Sequence, residues 1–207
     1  MRTSYTIGKI LLIVLFALGC NLTTPAAPVD DNLTEELTPI PTPKTTQPAW
    51  PDDWQLFVDD IGGVAFAFPQ SWSIIPVSED IRRQGTGYTY TLASFDQATA
   101  PGRDGIPEGS TKVDISIGAF DVMFGDDYTL EQVANYATTS DGVQEVLEQT
   151  AVTLVDGAPA IKIRLIGRFG DEFTSYIMKI GDTGVSVGGL GADMALVEQI
   201  AMTLHAA

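Results

Sequence analysis

The chain has 207 residues, 44% of them apolar and 9% aromatic, with 11 Lys+Arg against 27 Asp+Glu for a formal charge of −16. Less a leader and a linker, that length leaves one domain of roughly 150 residues, and the composition is that of a folding chain rather than a disordered one. The acidity argues against nucleic acid and against a basic patch on anionic headgroups, and reads as a solvated exterior; the single cysteine excludes an internal disulfide.

In chain order, the first segment is a leader. Met1–Gly19 places Arg2 and Lys9 ahead of an apolar run from Ile10 to Leu18, and Gly19 stands directly before Cys20. The run is too short for a span of about 20 apolar residues, and polar sequence follows at once, as in a cleaved signal peptide. Ala17-Leu18-Gly19-Cys20 resembles the lipobox of bacterial lipoproteins, although Ala17 replaces the more frequent Leu. The resemblance implies cleavage before Cys20, diacylglycerol on its thiol and acylation, palmitate included, of the new α-amine. It places the protein on the extracytoplasmic face of a bacterial membrane, anchored by lipid on Cys20. Two or three acyl chains make such an anchor stable, since each buried CH₂ contributes about 0.8 kcal/mol. Asn21, not Asp, follows the cysteine. Without Arg2 and Lys9, the charge of −16 becomes −18 in the mature chain.

Residues 20–51 then read as the lipidated cysteine and a Thr/Pro-rich linker. At the roughly 3.1 Å per residue of polyproline II, some 30 residues reach on the order of 90 Å. Asn21-Leu-Thr and Asn32-Leu-Thr match a glycosylation triplet by chance composition and are assigned no role.

Residues 52–207 change to short alternating segments punctuated by Gly and Asp, the pattern of half-buried strands. Val64–Phe68 turns through Pro69-Gln-Ser-Trp72 into Ser73–Val77, which reads as a hairpin with Trp72 in the core. Tyr88, Tyr90 and Leu92 mark a third strand. Val113, Ile115, Ile117 and Ala119 mark a fourth, after the loop Asp96–Ser110. Thr129-Leu-Glu-Gln132 has capping-box spacing, and Leu130, Val133, Ala134 and Ala137 continue it as a helix. Glu145–Val155 is expected to begin helical and end as a strand. Asp156-Gly157, Gly170-Asp171 and Gly181–Gly184 are turns of a meander through Ile161–Leu165, Tyr176–Ile180 and Val185–Val187. A last helix from Asp193 carries the stripe Leu196, Val197, Ile200 and Leu204. The order implies an α+β fold, an antiparallel β-sheet of about six to eight strands flanked by helices.

The opening Gly63-Val-Ala-Phe-Ala-Phe-Pro-Gln-Ser-Trp72, the mid-chain helix, the Asp156-Gly-Ala-Pro-Ala160 turn, the meander and the final helix together resemble the PsbP/Mog1-like α/β/α sandwich family over about Asp52 to Leu204. That family includes many uncharacterised bacterial lipoproteins and has no common active site. The resemblance implies a non-catalytic binding or assembly module with a protein partner in the envelope.

The one formal catalytic pattern is Gly184-Val-Ser-Val-Gly188, with Asp193 and His205 following in hydrolase order. A nucleophile elbow needs Ser at a sharp strand-to-helix turn, whereas Ser186 lies in strand-like alternation, and His205 is expected on a fraying end. A serine hydrolase using Ser186 is therefore the remote reading. With one His and the only Cys lipidated, zinc fails on ligand count; Asp121 with Asp126-Asp127, or Asp96 with Asp104, offers oxygen ligands for calcium without an EF-hand pattern. Gly188-Gly-Leu-Gly191 lacks nucleotide-loop spacing and reads as a strand-to-helix turn. No catalytic, cofactor or metal residue is assigned. Trp50 and Trp54, where linker becomes domain, are expected to pack on the sheet, with ligand contact the alternative. The long loop Asp96–Ser110 is the place to look for a partner site. A small-ligand or carbohydrate-binding lipoprotein is the second reading.

Overall fold

The computed structural model describes residues 50–99, 105–125 and 128–207. The leader, Cys20 and nearly all of the linker lie outside them. The described strands form two sheets. A seven-stranded antiparallel sheet has the order β3 (Ser73–Ile75), β4 (Tyr88–Ala93), β5 (Thr111–Ala119), β9 (Thr183–Gly191), β8 (Glu172–Ile180), β7 (Pro159–Gly167), β6 (Val143–Thr153), and a three-stranded one the order β1 (Trp54–Asp59), β2 (Val64–Pro69), β10 (His205–Ala206). Four helices accompany them: α1 (Glu79–Arg82), α2 (Phe120–Phe124), α3 (Leu130–Thr138) and α4 (Met194–Met202). The expected α+β sandwich is present.

In the large sheet, β5 (Thr111–Ala119) and β9 (Thr183–Gly191) pair over nine residues at its centre. Their alternation sends Val113, Ile115, Ile117, Val185 and Val187 to one face, where each is fully buried. That face meets α4 and the small sheet: Val64, Phe66 and Phe68 of β2 (Val64–Pro69) join Tyr90, Tyr176, Val197 and Ile200 in one core. A smaller core on the opposite face places Val133 and Ala134 of α3 on Ile161, Ile163 and Ile177 of β7 (Pro159–Gly167) and β8 (Glu172–Ile180).

Both predicted helices form for local reasons. Thr129 Oγ1 accepts from Gln132 N–H and Gln132 Oε1 accepts from Thr129 N–H, a reciprocal cap at the start of α3. Thr129→Ala is expected to cost about 1 kcal/mol, readable as a lower urea midpoint. Asp193 caps α4 by accepting from Leu196 N–H at 2.9 Å. The helix lies close on β9 because Gly189 faces it; a Cβ there would sit 2.3 Å from Val197 Cγ1.

Three expectations are corrected, and one strand appears that the pattern did not announce. Val64–Phe68 and Ser73–Val77 are not a hairpin: β2 pairs with β1 (Trp54–Asp59) and β10 (His205–Ala206), while β3 (Ser73–Ile75) pairs with β4 (Tyr88–Ala93). The Pro69–Trp72 turn passes the chain from one sheet to the other, with Trp72 buried as expected. β1 itself was hidden because its pattern is inverted, with Leu56 and Val58 exposed and the carboxylate of Asp59 buried. The segment from Val143 to Thr153 is one strand, β6, with no helical start. As an edge strand solvated on both faces and offset twice in register, it has no apolar period to read. Gly188–Gly191 lies inside β9 rather than in a turn.

Candidate functional site

The Ser-Asp-His pattern is not assembled. Ser186 sits mid-strand in β9 opposite Ser116 and Ile177. Its neighbours Val185 and Val187 face the large core, so its side chain faces the other side of the sheet. His205 belongs to β10 of the small sheet, on the large-core side, and pairs with Ala65 rather than fraying. Asp193 is occupied as a helix cap. Ser186→Ala is expected to change stability by less than about 0.5 kcal/mol and to leave ester hydrolysis by the purified protein unaltered.

Among the described residues no group of three His, Cys, Asp or Glu side chains is placed to hold a metal. Asp104, Asp126 and Asp127 lie outside them. Asp121 Oδ1 accepts from Val122 N–H and Asp96 Oδ1 from Ala98 N–H, each a local turn contact. The described end of the Asp96–Ser110 loop borders a shallow polar cleft of about 440 Å³ beside Glu172 and Leu190–Ala192.

A second polar cleft, of about 250 Å³, lies between α4 and the strands β7 and β8. Its charges pair among themselves: Lys162 with Glu198 at 2.9 Å, and Arg164 Nε with Glu172 at 3.0 Å. Beneath it the phenol of Tyr176 is fully buried and its oxygen has no hydrogen-bond partner.

An apolar concavity stands where the chain enters the domain. Trp50 and Trp54 form one wall of a groove of about 430 Å³, Leu154 and Val155 after β6 a second, and Gln199 and Met202 of α4 a third. This lies within the range typical of ligand sites. Each wall is fixed. Trp54 is buried, with its N–H on Pro51 O at 3.0 Å and its carbonyl accepting from Gln70 Nε2 at 3.2 Å. Trp50 stacks on the His205 imidazole, centroids 6.4 Å apart and planes at 25°. His205 Nδ1 lies 2.7 Å from Thr203 O, which holds the ring. Val155 N–H reaches Met202 O, tying the β6–β7 turn to the end of α4.

The sequence singled out Trp50 and Trp54; the structure packs both against the domain core and places both on the lining of this groove. It did not single out Leu154, Val155 or Met202. They come from separate parts of the chain, and only the register of β6 and the seating of α4 bring them to the tryptophans.

A buried polar network braces the far end of the small sheet. Asp59, fully buried, accepts through Oδ1 from Arg82 Nη1 at 2.8 Å and from the N–H groups of Ile61 and Gly62 at 3.3 and 3.2 Å, and through Oδ2 from the Tyr88 hydroxyl. Burial, then the hydrogen bond to Asp59, pushes the Tyr88 phenol well above its ordinary value of 10.0. Burial, then the Asp59 charge, pushes Tyr90 up to about 12. Burial, then the Glu198 charge, raises Tyr176. Because these folded values exceed the unfolded one, the stability they lend is whole below about pH 10 and falls as pH rises above it. Alkaline titration is expected to show phenolate absorbance from these three residues appearing together with unfolding.

No protein-family model matches the chain, and no curated protein matches it in sequence. Among solved structures, cyanobacterial PsbP (CyanoP) from Synechocystis sp. PCC 6803 matches at a TM-score of 0.50 and 15% identity, covering 75% of this chain and 93% of that one. A protein of unknown function from Pseudomonas aeruginosa matches at 0.36 and 12% identity, over 70% and 87% of the two chains. A protein from Bacteroides thetaiotaomicron matches at 0.36 and 13% identity, over 73% and 48% of the two chains. The first of these shows a PsbP-like fold. Among the described residues no helix is long and apolar enough to cross a membrane.

Proposed function

We propose that this protein is a lipid-anchored, non-catalytic docking module on the extracytoplasmic face of a bacterial membrane, and that it holds another envelope protein through the Trp50 groove. The observation that carries this reading is the groove itself: fixed indole walls, an apolar lining and an open side, at the root of the tether. Rigid aromatic walls suit an anchoring side chain, because large apolar area is buried with little loss of side-chain freedom. The PsbP-like fold, with no shared active site in the family it resembles, supports a binding role over a chemical one.

Co-purification from crosslinked membranes tests it. Wild-type protein is expected to enrich a discrete partner that is lost with Trp50→Ala or Met202→Glu and retained with Leu56→Glu, which lies on exposed β1 surface. Equal recovery by all four proteins, or no enriched partner, contradicts it. The anchor has its own test: Cys20→Ser is expected to lose metabolically incorporated palmitate and leave the membrane fraction, and retention of both labels the Cys20 reading wrong.

A small apolar or carbohydrate ligand is the second reading, favoured by the indole wall of Trp50 in a groove of this size. Saturable change in tryptophan fluorescence on adding oligosaccharides, lost with Trp50→Ala, selects it over the first.

A further inference from the structure

Among the described residues β6 is the edge of the seven-stranded sheet and pairs only with β7. At 11 residues it is the longest described strand, and it is solvated along most of its length on both faces. A long free edge presents unpaired N–H and C=O groups in a row, and proteins usually blunt such edges with bulges and charges. Here the blunting is confined to one half. The register shifts fall between Val143 and Glu145 and between Val146 and Glu148, and the two glutamates are in that half. From Gln149 to Thr153 the pairing runs unbroken against Ile163 to Pro159, with no charge, glycine or proline in β6 itself.

The direction of the backbone groups follows from one bond. Leu154 N–H donates to Ala158 O at 2.9 Å, so residue 154 faces β7. Alternation along an antiparallel ladder then turns Val152 and Thr150 towards β7, and turns Thr153, Ala151 and Gln149 outward. Three residues in regular geometry offer donors and acceptors to whatever lies outside. Thr153, Leu154 and Val155 are also lining residues of the Trp50 groove, so the open edge runs directly into it.

Resting on the groove reading above, we propose that β6 takes an extended segment of the partner protein as an added antiparallel strand. The strand pairs with Gln149–Thr153, sets an apolar side chain near its start into the Trp50 groove, and carries Lys or Arg towards Glu148 and Glu145. Main-chain bonds supply affinity in this mode and the side-chain pocket supplies selectivity. Charge selects the occupant. β6 holds two carboxylates and no cation; Glu148 lies 3.7 Å from Arg164 Nη1 of β7, and Glu145 has no ion pair among the described residues. A second copy of a chain carrying −16 is repelled, whereas a basic segment is attracted.

The probe is a capped peptide of about nine residues, with Trp first, then alternating Val and Thr, and Lys at its sixth and ninth positions, titrated into the full-length protein. Binding is expected to weaken by about tenfold or more with Ala151→Pro, which deletes an outward donor and no bond to β7, and by a similar factor with Trp50→Ala. Glu145→Lys is expected to weaken it several-fold and to flatten its salt dependence. An unchanged thermal midpoint for Ala151→Pro shows that the strand is intact; should that variant unfold, methylation of the Ala151 amide in semisynthetic protein replaces it. Loss with Trp50→Ala but not with the blocked Ala151 amide overturns strand addition and leaves the groove reading standing. No binding to wild type also overturns strand addition, while the co-purification result decides the groove reading separately. A dimer of the wild-type protein dissolved by Ala151→Pro assigns the edge to a second copy and overturns the proposal.

Discussion

Replacing Asp59 with Ala is expected to lower the unfolding free energy by about 3–5 kcal/mol, because removing one partner of a buried ion pair leaves the other uncompensated. The Arg82 side chain retains 18% exposure, which draws the expectation towards the lower figure. Against that, the same change strips an acceptor from the Tyr88 hydroxyl and from the N–H groups of Ile61 and Gly62. Gly62 shows how closely the site is built: a Cβ there would meet the Tyr88 hydroxyl oxygen at 2.6 Å and Asp59 Oδ2 at 2.8 Å. Asp59→Asn keeps one acceptor and is expected to cost less, about 1–3 kcal/mol. Asp59→Ala combined with Arg82→Met, which removes the stranded charge, is expected to recover part of the loss. Urea unfolding of the four proteins reads all of this, and a cost below about 1 kcal/mol for Asp59→Ala contradicts the account of the network.

Gly189→Ala is the second large effect, expected at about 1–3 kcal/mol. The new Cβ would lie 2.3, 2.6 and 2.9 Å from the two γ-methyls and the Cβ of Val197, a fully buried residue in the middle of α4. The side chain cannot swing away without entering the core, so α4 must lift from β9. Val197→Ala alone leaves a void and also destabilises. The pair together is expected to be less destabilised than the sum of the two single changes, since each relieves the other's misfit. Strict additivity in urea unfolding argues that α4 is not seated on Gly189. Because Met202 ends the same helix, lifting α4 is also expected to weaken binding at the Trp50 groove.

What the sequence made legible follows burial. β5, with Val113, Ile115 and Ile117 buried on one side, and α3, with its reciprocal Thr129–Gln132 cap, carry their own signals within a few residues. β1 and β6 do not. β1 puts Asp59 inside and Leu56 and Val58 outside, and β6 has no buried face to impose a period. The false hairpin at Pro69–Trp72 came from adjacency: consecutive strands usually pair, but here the turn crosses between sheets. At the site, Trp50 and Trp54 were visible as aromatics at a boundary. The rest of the groove and the outward donors of β6 are products of long-range register, which no local pattern encodes.

The central claim is that the Trp50 groove is where another envelope protein docks. Its most direct test places a photo-crosslinking phenylalanine at Gln199, on the groove wall, and illuminates intact cells. The account predicts one discrete protein adduct that disappears when Trp50→Ala is added. An adduct of unchanged yield in that variant, or crosslinks to lipid alone, contradicts it.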